Sequence, residues 1–424
     1  MADITDLFML RQGSTVASGT AAEDLLVHQF SRHDPNYVRR RAAFEERLDD
    51  NAKRIAQLEA GGRALPCTRQ IFEEVGWLLH FTAYWQRVER RLADLDASYA
   101  VADQAFATRQ SPDDGAWGAC YEATFLKADA TLAGLEVLAA KGVPPQFAVT
   151  LEPTLQTSQQ LVERAERLIV SDIASYGIDH RGELNSLATT FVRASYKRQL
   201  QDYAPQVKMV LGHRNPGGPL ELRQRLLALT DAWQDPDTGF WGAWYKVNGG
   251  VVRTMDLSIT FHIISYRRGK INYWPQVLST LYAIKDAPYP YGWLYDGSYV
   301  NHNNYDVARI LSYGWSHMSP QDQVLFRKEL DAMLAWTLTK SLGDDGRFRS
   351  IPSFFESLSA NYYYGVQFLD LIGFWDPKKR FWTESEFSNA PEVCMRIRRS
   401  MERDGLSDAT AMDVRETLEA ICPG

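Results

Sequence analysis

Along most of this chain apolar residues recur at helical spacing. No run of period-two alternation bounded by turns demands a β-sheet. That pattern restricts the fold to helix packed on helix. Val38, Ala42, Leu48, Ile55 and Leu58 recur near multiples of 3.6 residues over 36–60, and Gly61 and Gly62 stop the run. Before it, Asp34 and Pro35 supply an N-cap and a proline at the first helical position. The same reading predicts helices over 68–95, 116–141, 153–176 and 182–211. Asn215, Pro216, Gly217, Gly218 and Pro219 cannot continue a helix, which predicts a linker and two parts: an N-terminal helical region, 1–214, and a second part, 215–424.

The second part has a different texture. Residues 233–382 hold 31 of the 51 aromatic residues (12 Trp, 20 Tyr, 19 Phe), so the loops between helices carry many of them. Helical spacing persists over 255–266, 276–284, 303–315, 321–342 and 354–372. Ser319, Pro320 and Asp322 form a helix start, with the acid three positions after the cap. The aromatic loops leave room for short hairpins. The fold class expected is therefore all-α.

Charge and cysteines bound the setting. Asp+Glu number 53 against 46 Lys+Arg, a net charge of −7 with no basic stripe, which argues against sequence-independent nucleic-acid binding. The N-terminus starts acidic with a four-residue apolar run, so no secretory signal is expected. No apolar run has the length to span a bilayer, and no membrane contact is expected. Cys67, Cys120, Cys394 and Cys422 are scattered, with no CxxC and no Cys/His cluster. They read as isolated small hydrophobes rather than as disulfides or a zinc site, and the chain as cytoplasmic, with no metal and no cofactor.

One short pattern recurs. Gln110 is followed by Gly115, Trp117 and Gly118, and Gln234 by Gly239, Trp241 and Gly242, at identical spacing. Gly343, Asp344, Asp345, Gly346 and Phe348 form a degenerate third copy. The kernel is Asp-x-Gly-x-aromatic: the Asp turns the chain, the Gly takes positive φ, and the aromatic tucks under the turn against the next helix. This kernel resembles the inter-helical turns of α/α-toroids. It is similar to the Gln-Trp motifs of terpenoid cyclases, here one residue longer between Gln and Gly. Asp235 to Trp241 looks still more like the Asp-Pro-x-Thr-Gly-x-Trp loop of toroidal glycan-processing enzymes such as unsaturated-uronyl hydrolases. The resemblance covers a few turns and the helix–loop rhythm. It implies an α/α-toroid, an incomplete or complete (α/α)6-like barrel, that either occupies the second part or runs continuously through both.

Phosphate-loop, dinucleotide, zincin and serine-hydrolase signatures are absent, as are the Asp-x-Asp-Asp and Asp-Asp-x-x-Asp signatures of terpenoid enzymes. The richest polar segment is 295–309. If a helix starts near Asn301–Asn304, then His302, Tyr305, Asp306 and Arg309 share one face. Toroidal lyases use Asn, His and Arg to neutralise a uronate carboxylate while Tyr or His moves the proton. By that likeness Arg309 and Asn303 would steady a carboxylate, and Tyr305 or His302 would act on the proton. An inverting hydrolase would instead need two carboxylates about 6.5–9.5 Å apart, with Asp256, Asp296, Asp306 and Glu356 as candidates.

A second cluster places Ser258 and His262 near Asp256. Trp241, Trp244, Trp293 and Tyr295, read as loop aromatics, suit stacking on sugar rings or lining a hydrocarbon cavity. The expected site is thus His302, Tyr305, Asp306 and Asp256 as catalytic groups. Asn303, Arg309, Trp241, Trp244, Trp293, Tyr295 and His262 would bind substrate. The expected function is a carbohydrate-active enzyme, a lyase or inverting hydrolase with a small-molecule or oligosaccharide substrate. The alternatives are a terpenoid cyclase-like enzyme and a non-catalytic helical binding protein.

Overall fold

Helical periodicity is realised along most of the chain. The computed structural model describes residues 11, 14–17, 19–63, 65–80, 82, 84–100, 110–140, 142–150, 157–173, 177, 179–188, 218–247, 250–349, 357–406 and 409–422. These form two compact units: 1–234 with 241–267, and 235–240 with 268–424. Residues 215–217 of the expected linker lie outside the described residues, as do 189–211 of the expected helix over 182–211. Gly218 and Pro219 open a helix.

The first unit contains β1 (Thr15–Ala17), α1 (Gly19–His33), α2 (Tyr37–Ala60), α3 (Pro66–His80), α4 (Trp85–Ser98), α5 (Thr124–Ala140) and α6 (Ser158–Ile169). After them come β2 (Val170–Ser171), α7 (Arg181–Leu187), α8 (Gly218–Trp233), β3 (Trp244–Val247), β4 (Gly250–Thr254) and α9 (Leu257–Tyr266). The helix expected over 68–95 is two. Thr82 Oγ1 donates to Gly177 O (2.9 Å) and accepts from Tyr84 N–H (3.0 Å), a local hydrogen bond that competes with the helical ladder. The N-terminal core packs Phe72, Val75, Val88, Leu92 and Leu95 of α3 and α4 against Phe44, Leu48 and Ile55 of α2.

The all-α expectation needs a correction, because the first unit holds a small four-stranded sheet in the order β1-β4-β3-β2. Its centre is a β3–β4 hairpin in the aromatic loops, with Trp244 opposite Arg253. β1 and β2 add in parallel on either side. Trp244, Tyr245 and Val247 of β3 are all buried and only Lys246 is exposed, so no alternation marks the strand. The two strands that flank the hairpin, β1 on β4 and β2 on β3, come from residues far away in sequence.

The second unit contains α10 (Trp274–Ala283), α11 (Asn301–Gly314), α12 (Pro320–Trp336), α13 (Leu358–Leu371), α14 (Ala390–Arg403) and α15 (Ala409–Ile421). α11 packs on α10 and α13, and α15 packs on α13 and α14. Ser319 caps α12 through Asp322 N–H (3.2 Å), as its sequence predicts, and α12 runs on into a π-helical turn, Thr337–Ser341.

All three turn kernels place their glycine at positive φ: 67° at Gly115, 73° at Gly239 and 84° at Gly346. The first two copies share a hydrogen-bond pattern. Gly115 N–H donates to Ser111 O and Ser111 N–H to Ala116 O, just as Gly239 N–H donates to Asp235 O and Asp235 N–H to Phe240 O. Trp117 N–H then donates to Thr131 Oγ1 and Trp241 N–H to Thr260 Oγ1, each at 3.0 Å, which locks the aromatic residue to the following helix.

The cysteine reading is also corrected. Cys67 is disulfide-bonded to Cys120 and Cys394 to Cys422, with Cα–Cα separations of 5.6 and 6.4 Å. The first pair ties the start of α3 to the turn before α5, and the second ties α14 to the end of α15. Partners 53 and 28 residues apart leave no local pattern by which a sequence reading could join them.

Candidate functional site

α11 begins where the polar run predicts, at Asn301. Its asparagines hold the helix start in place. Asn301 Nδ2 donates to Ser341 Oγ (2.8 Å), and Asn301 Oδ1 accepts from Thr337 Oγ1 (3.3 Å). Asn304 Nδ2 donates to Thr337 Oγ1 (3.4 Å), so the π-helical turn is the far side of this anchor. Asn303 is fully buried and donates through Nδ2 to Trp293 O (2.9 Å), which makes it an anchor rather than a group aimed at a ligand. Trp293 is buried too, its ring beside Phe326.

The four residues expected on one face do come together. Asp306 is 0% exposed and lies behind His302, with 3.6 Å between its Oδ2 and the imidazole Nε2. Arg309 Nη2 donates to the Tyr305 hydroxyl (2.9 Å), and its guanidinium lies 5.3 Å from the Tyr305 ring centroid. Among the described residues Arg309 makes no ion pair; Tyr305, Tyr313 and Tyr363 are the ionisable groups that act on it most strongly. Burial opposes its charge, and those tyrosine oxygens more than offset this, so the guanidinium stays cationic.

Three further residues of this face escaped the sequence reading. Tyr364 of α13 stacks on His302 with ring centroids 4.2 Å apart and planes 6° apart. It also packs against Tyr305 (6.0 Å), and Tyr363 lies edge-on to Tyr305 (6.3 Å). Tyr289, in the loop before α11, lies 5.8 Å from His302. The available signal was the run Tyr362, Tyr363, Tyr364: in a helix, one of three adjacent tyrosines turns inward and the others need another surface. Tyr362 is the inward one, its hydroxyl bonded to Ser400 (2.9 Å) and Asp404 (2.8 Å).

The other expected residues lie elsewhere. Tyr295 is half-buried in a turn, its backbone paired with Ser298, and Asp296 is exposed there at φ 48°. Glu356 lies outside the described residues. Asp256, Trp241, Trp244 and His262 belong to the first unit. Trp241 and Trp244 are 0% and 1% exposed, and Trp244 lies on β3 rather than in a loop, so neither offers a face to a sugar ring. His262 bonds through Nδ1 to the Tyr266 hydroxyl (3.1 Å) and stacks on that ring. Clefts lined by Arg398, Arg415 and Glu419, and by Phe44, Arg47 and Trp85, contain none of the expected site residues.

Asp256 has a structural assignment. It caps α9 by accepting Ile259 N–H (2.9 Å), and its other oxygen takes the Nε–H of the buried Arg181. Arg181 in turn lies over the Trp77 ring (4.6 Å). Beside this pair, Asp179 accepts from Arg181 N–H (2.9 Å) and from the Tyr245 hydroxyl (3.1 Å). Burial pushes the Asp179 carboxyl up to about 6, against the pull of those donors.

The raised value sets a sign. Between about pH 4 and 6 the folded chain keeps a proton that the unfolded chain has released, so stability is present at low pH and is lost as pH rises through about 6. The loss amounts to about 3 kcal/mol. Asp179→Asn, which can still accept both hydrogen bonds, should therefore gain stability relative to the native protein as pH rises from 4.5 to 7.5. Thermal unfolding at both pH values checks this; a native-minus-variant difference independent of pH would refute it.

The fold and site together define a mostly helical protein with a polar, tyrosine-walled helix face. No family model, no curated protein and no solved structure matches the chain.

Proposed function

We propose that the chain is a carbohydrate-active enzyme that works on a carboxylate-bearing glycan at the α11–α13 face, as a lyase or, second, as an inverting hydrolase. The observation that carries this reading is Arg309, a half-buried guanidinium set among tyrosines with no carboxylate of its own among the described residues. Desolvating a cation without a counter-charge is costly, and the planar guanidinium fork matches a carboxylate. The α/α-toroid is the fold we propose around it, supported by the shared hydrogen bonding of the two Gly-x-Trp turns.

Elimination suits this face better than hydrolysis. A carboxylate paired with Arg309 makes the proton on its neighbouring carbon easier to remove. Entering the step as the phenolate, which the Arg309 Nη2 hydrogen bond stabilises, the Tyr305 oxygen takes that proton and becomes the phenol, while the enolate charge that develops on the substrate carboxylate stays against the guanidinium. The C–O bond to the leaving sugar breaks, a C=C bond forms, and the departing oxygen takes a proton, with His302 as donor. Hydrolysis needs two carboxylates facing the bond, whereas Asp306 is buried behind His302. No helix among the described residues is long and apolar enough to cross a membrane. The two disulfides favour an oxidising compartment over the cytoplasm, where thiols are kept reduced.

Calorimetric titration with glucuronate and with glucose tests the reading. The native protein should prefer the uronate, and Arg309→Gln should remove the preference, weakening uronate binding about ten- to hundredfold. Equal affinity of the native protein for both sugars would refute it.

A further inference from the structure

We infer that Tyr364 is a positioning residue for His302, a role that rests on the proposed function of the α11–α13 face. The imidazole is held on two sides. Asp306, one helical turn along α11, faces Nε2 from within the fold. Tyr364, from α13, covers the ring plane at 4.2 Å and 6°. A carboxylate at one nitrogen sets which edge of an imidazole faces inward but leaves the ring able to rock about that contact. A parallel ring at stacking distance removes this freedom, because tilting the imidazole would open a gap on one edge and a clash on the other.

Tyr364 also touches Tyr305 (6.0 Å) and Tyr363 (5.1 Å, edge-on). One side chain of α13 therefore sets the attitude of both proton-handling groups of α11. Tyr289 closes the remaining side at a looser 5.8 Å and 51°, a geometry that bounds the ring without fixing its plane. The ring of Tyr364, rather than its hydroxyl, is what this role requires.

Two variants separate ring from hydroxyl. Tyr364→Phe keeps the stack; Tyr364→Leu keeps an apolar filler and loses it. A ring stacked on an imidazole shields the imidazole C–H protons, so proton NMR without ligand reads the stack directly. In the native protein and in Tyr364→Phe the His302 C–H resonances should be shifted upfield. In Tyr364→Leu they should return toward the free-histidine position, and turnover of a uronate-bearing glycan should fall about two- to tenfold with little change in glucuronate affinity. All three proteins should melt within a few degrees of one another. Shielded resonances in Tyr364→Leu, loss of shielding in Tyr364→Phe, or a lost stack with undiminished turnover would each overturn the positioning role. If the native protein binds no uronate at all, the proposed function falls, and the resonances still decide whether Tyr364 holds the imidazole.

Discussion

Tyr305→Phe should lose most turnover of a uronate-bearing glycan, about 10²–10⁴-fold, while melting near the native temperature. The substitution deletes one oxygen. The ring, 7% exposed, keeps its packing against Tyr363 and Tyr364, so the α11–α13 contact survives. What is lost is the group that would take the proton, together with the acceptor of the Arg309 Nη2 hydrogen bond. Arg309 is not fully enclosed, and water can replace that acceptor at a cost of about 1 kcal/mol. Appearance of the unsaturated-uronate absorbance band measures turnover, and thermal unfolding measures the fold. A variant that turns over normally would remove Tyr305 from the chemistry, and one that melts far earlier would make it structural.

Asp256→Ala should do the reverse and destabilise the first unit by about 3–5 kcal/mol. The carboxylate serves two buried groups, Arg181 Nε–H and the α9 N-terminal Ile259 N–H, and both residues of the ion pair are about 1% exposed. Alanine removes the carboxylate that takes the Nε–H of the enclosed Arg181, a place that neither the Trp77 ring above the guanidinium nor Asp179 at the Arg181 backbone N–H fills. The lost cap adds about 1 kcal/mol of its own. Because an ion pair replaced on both sides by apolar groups is often close to neutral, Asp256→Ala with Arg181→Met should be less damaged than Asp256→Ala alone. Chemical denaturation of the three variants checks the order. If Asp256→Ala unfolds like the native protein yet is inactive, Asp256 belongs to the chemistry as the sequence suggested, and its structural assignment is wrong.

Sequence and structure agree where the physics is local. The α12 start, the helix beginning at Asn301, and the positive φ of Gly115, Gly239 and Gly346 depend on a few adjacent residues whose preferences hold in most surroundings, whereas α2 begins at Tyr37 with Asn36, not Asp34, at its cap and no side-chain cap bond. The shared face of His302, Tyr305, Asp306 and Arg309 follows from helical geometry once the helix is granted.

Agreement ends where a residue's role depends on what arrives from far along the chain. Trp241, Trp244 and Trp293 read as loop aromatics fit to stack on sugar rings or line a cavity because their neighbours are loop formers, but each is covered by elements the local pattern does not reveal. The sheet went unseen because β3 is buried on both faces and the strands that flank the hairpin, residues 15–17 on β4 and 170–171 on β3, come from far along the chain. The cysteines looked isolated because pairing depends on Cα atoms meeting across 53 and 28 residues. Tyr364 is 62 positions from His302, and Arg181 is 75 from Asp256. Spacing along a helix tells which side chains share a face; which other helix covers that face is set by packing the whole core, and that packing turned Asp256 into an anchor and Tyr364 into part of the site.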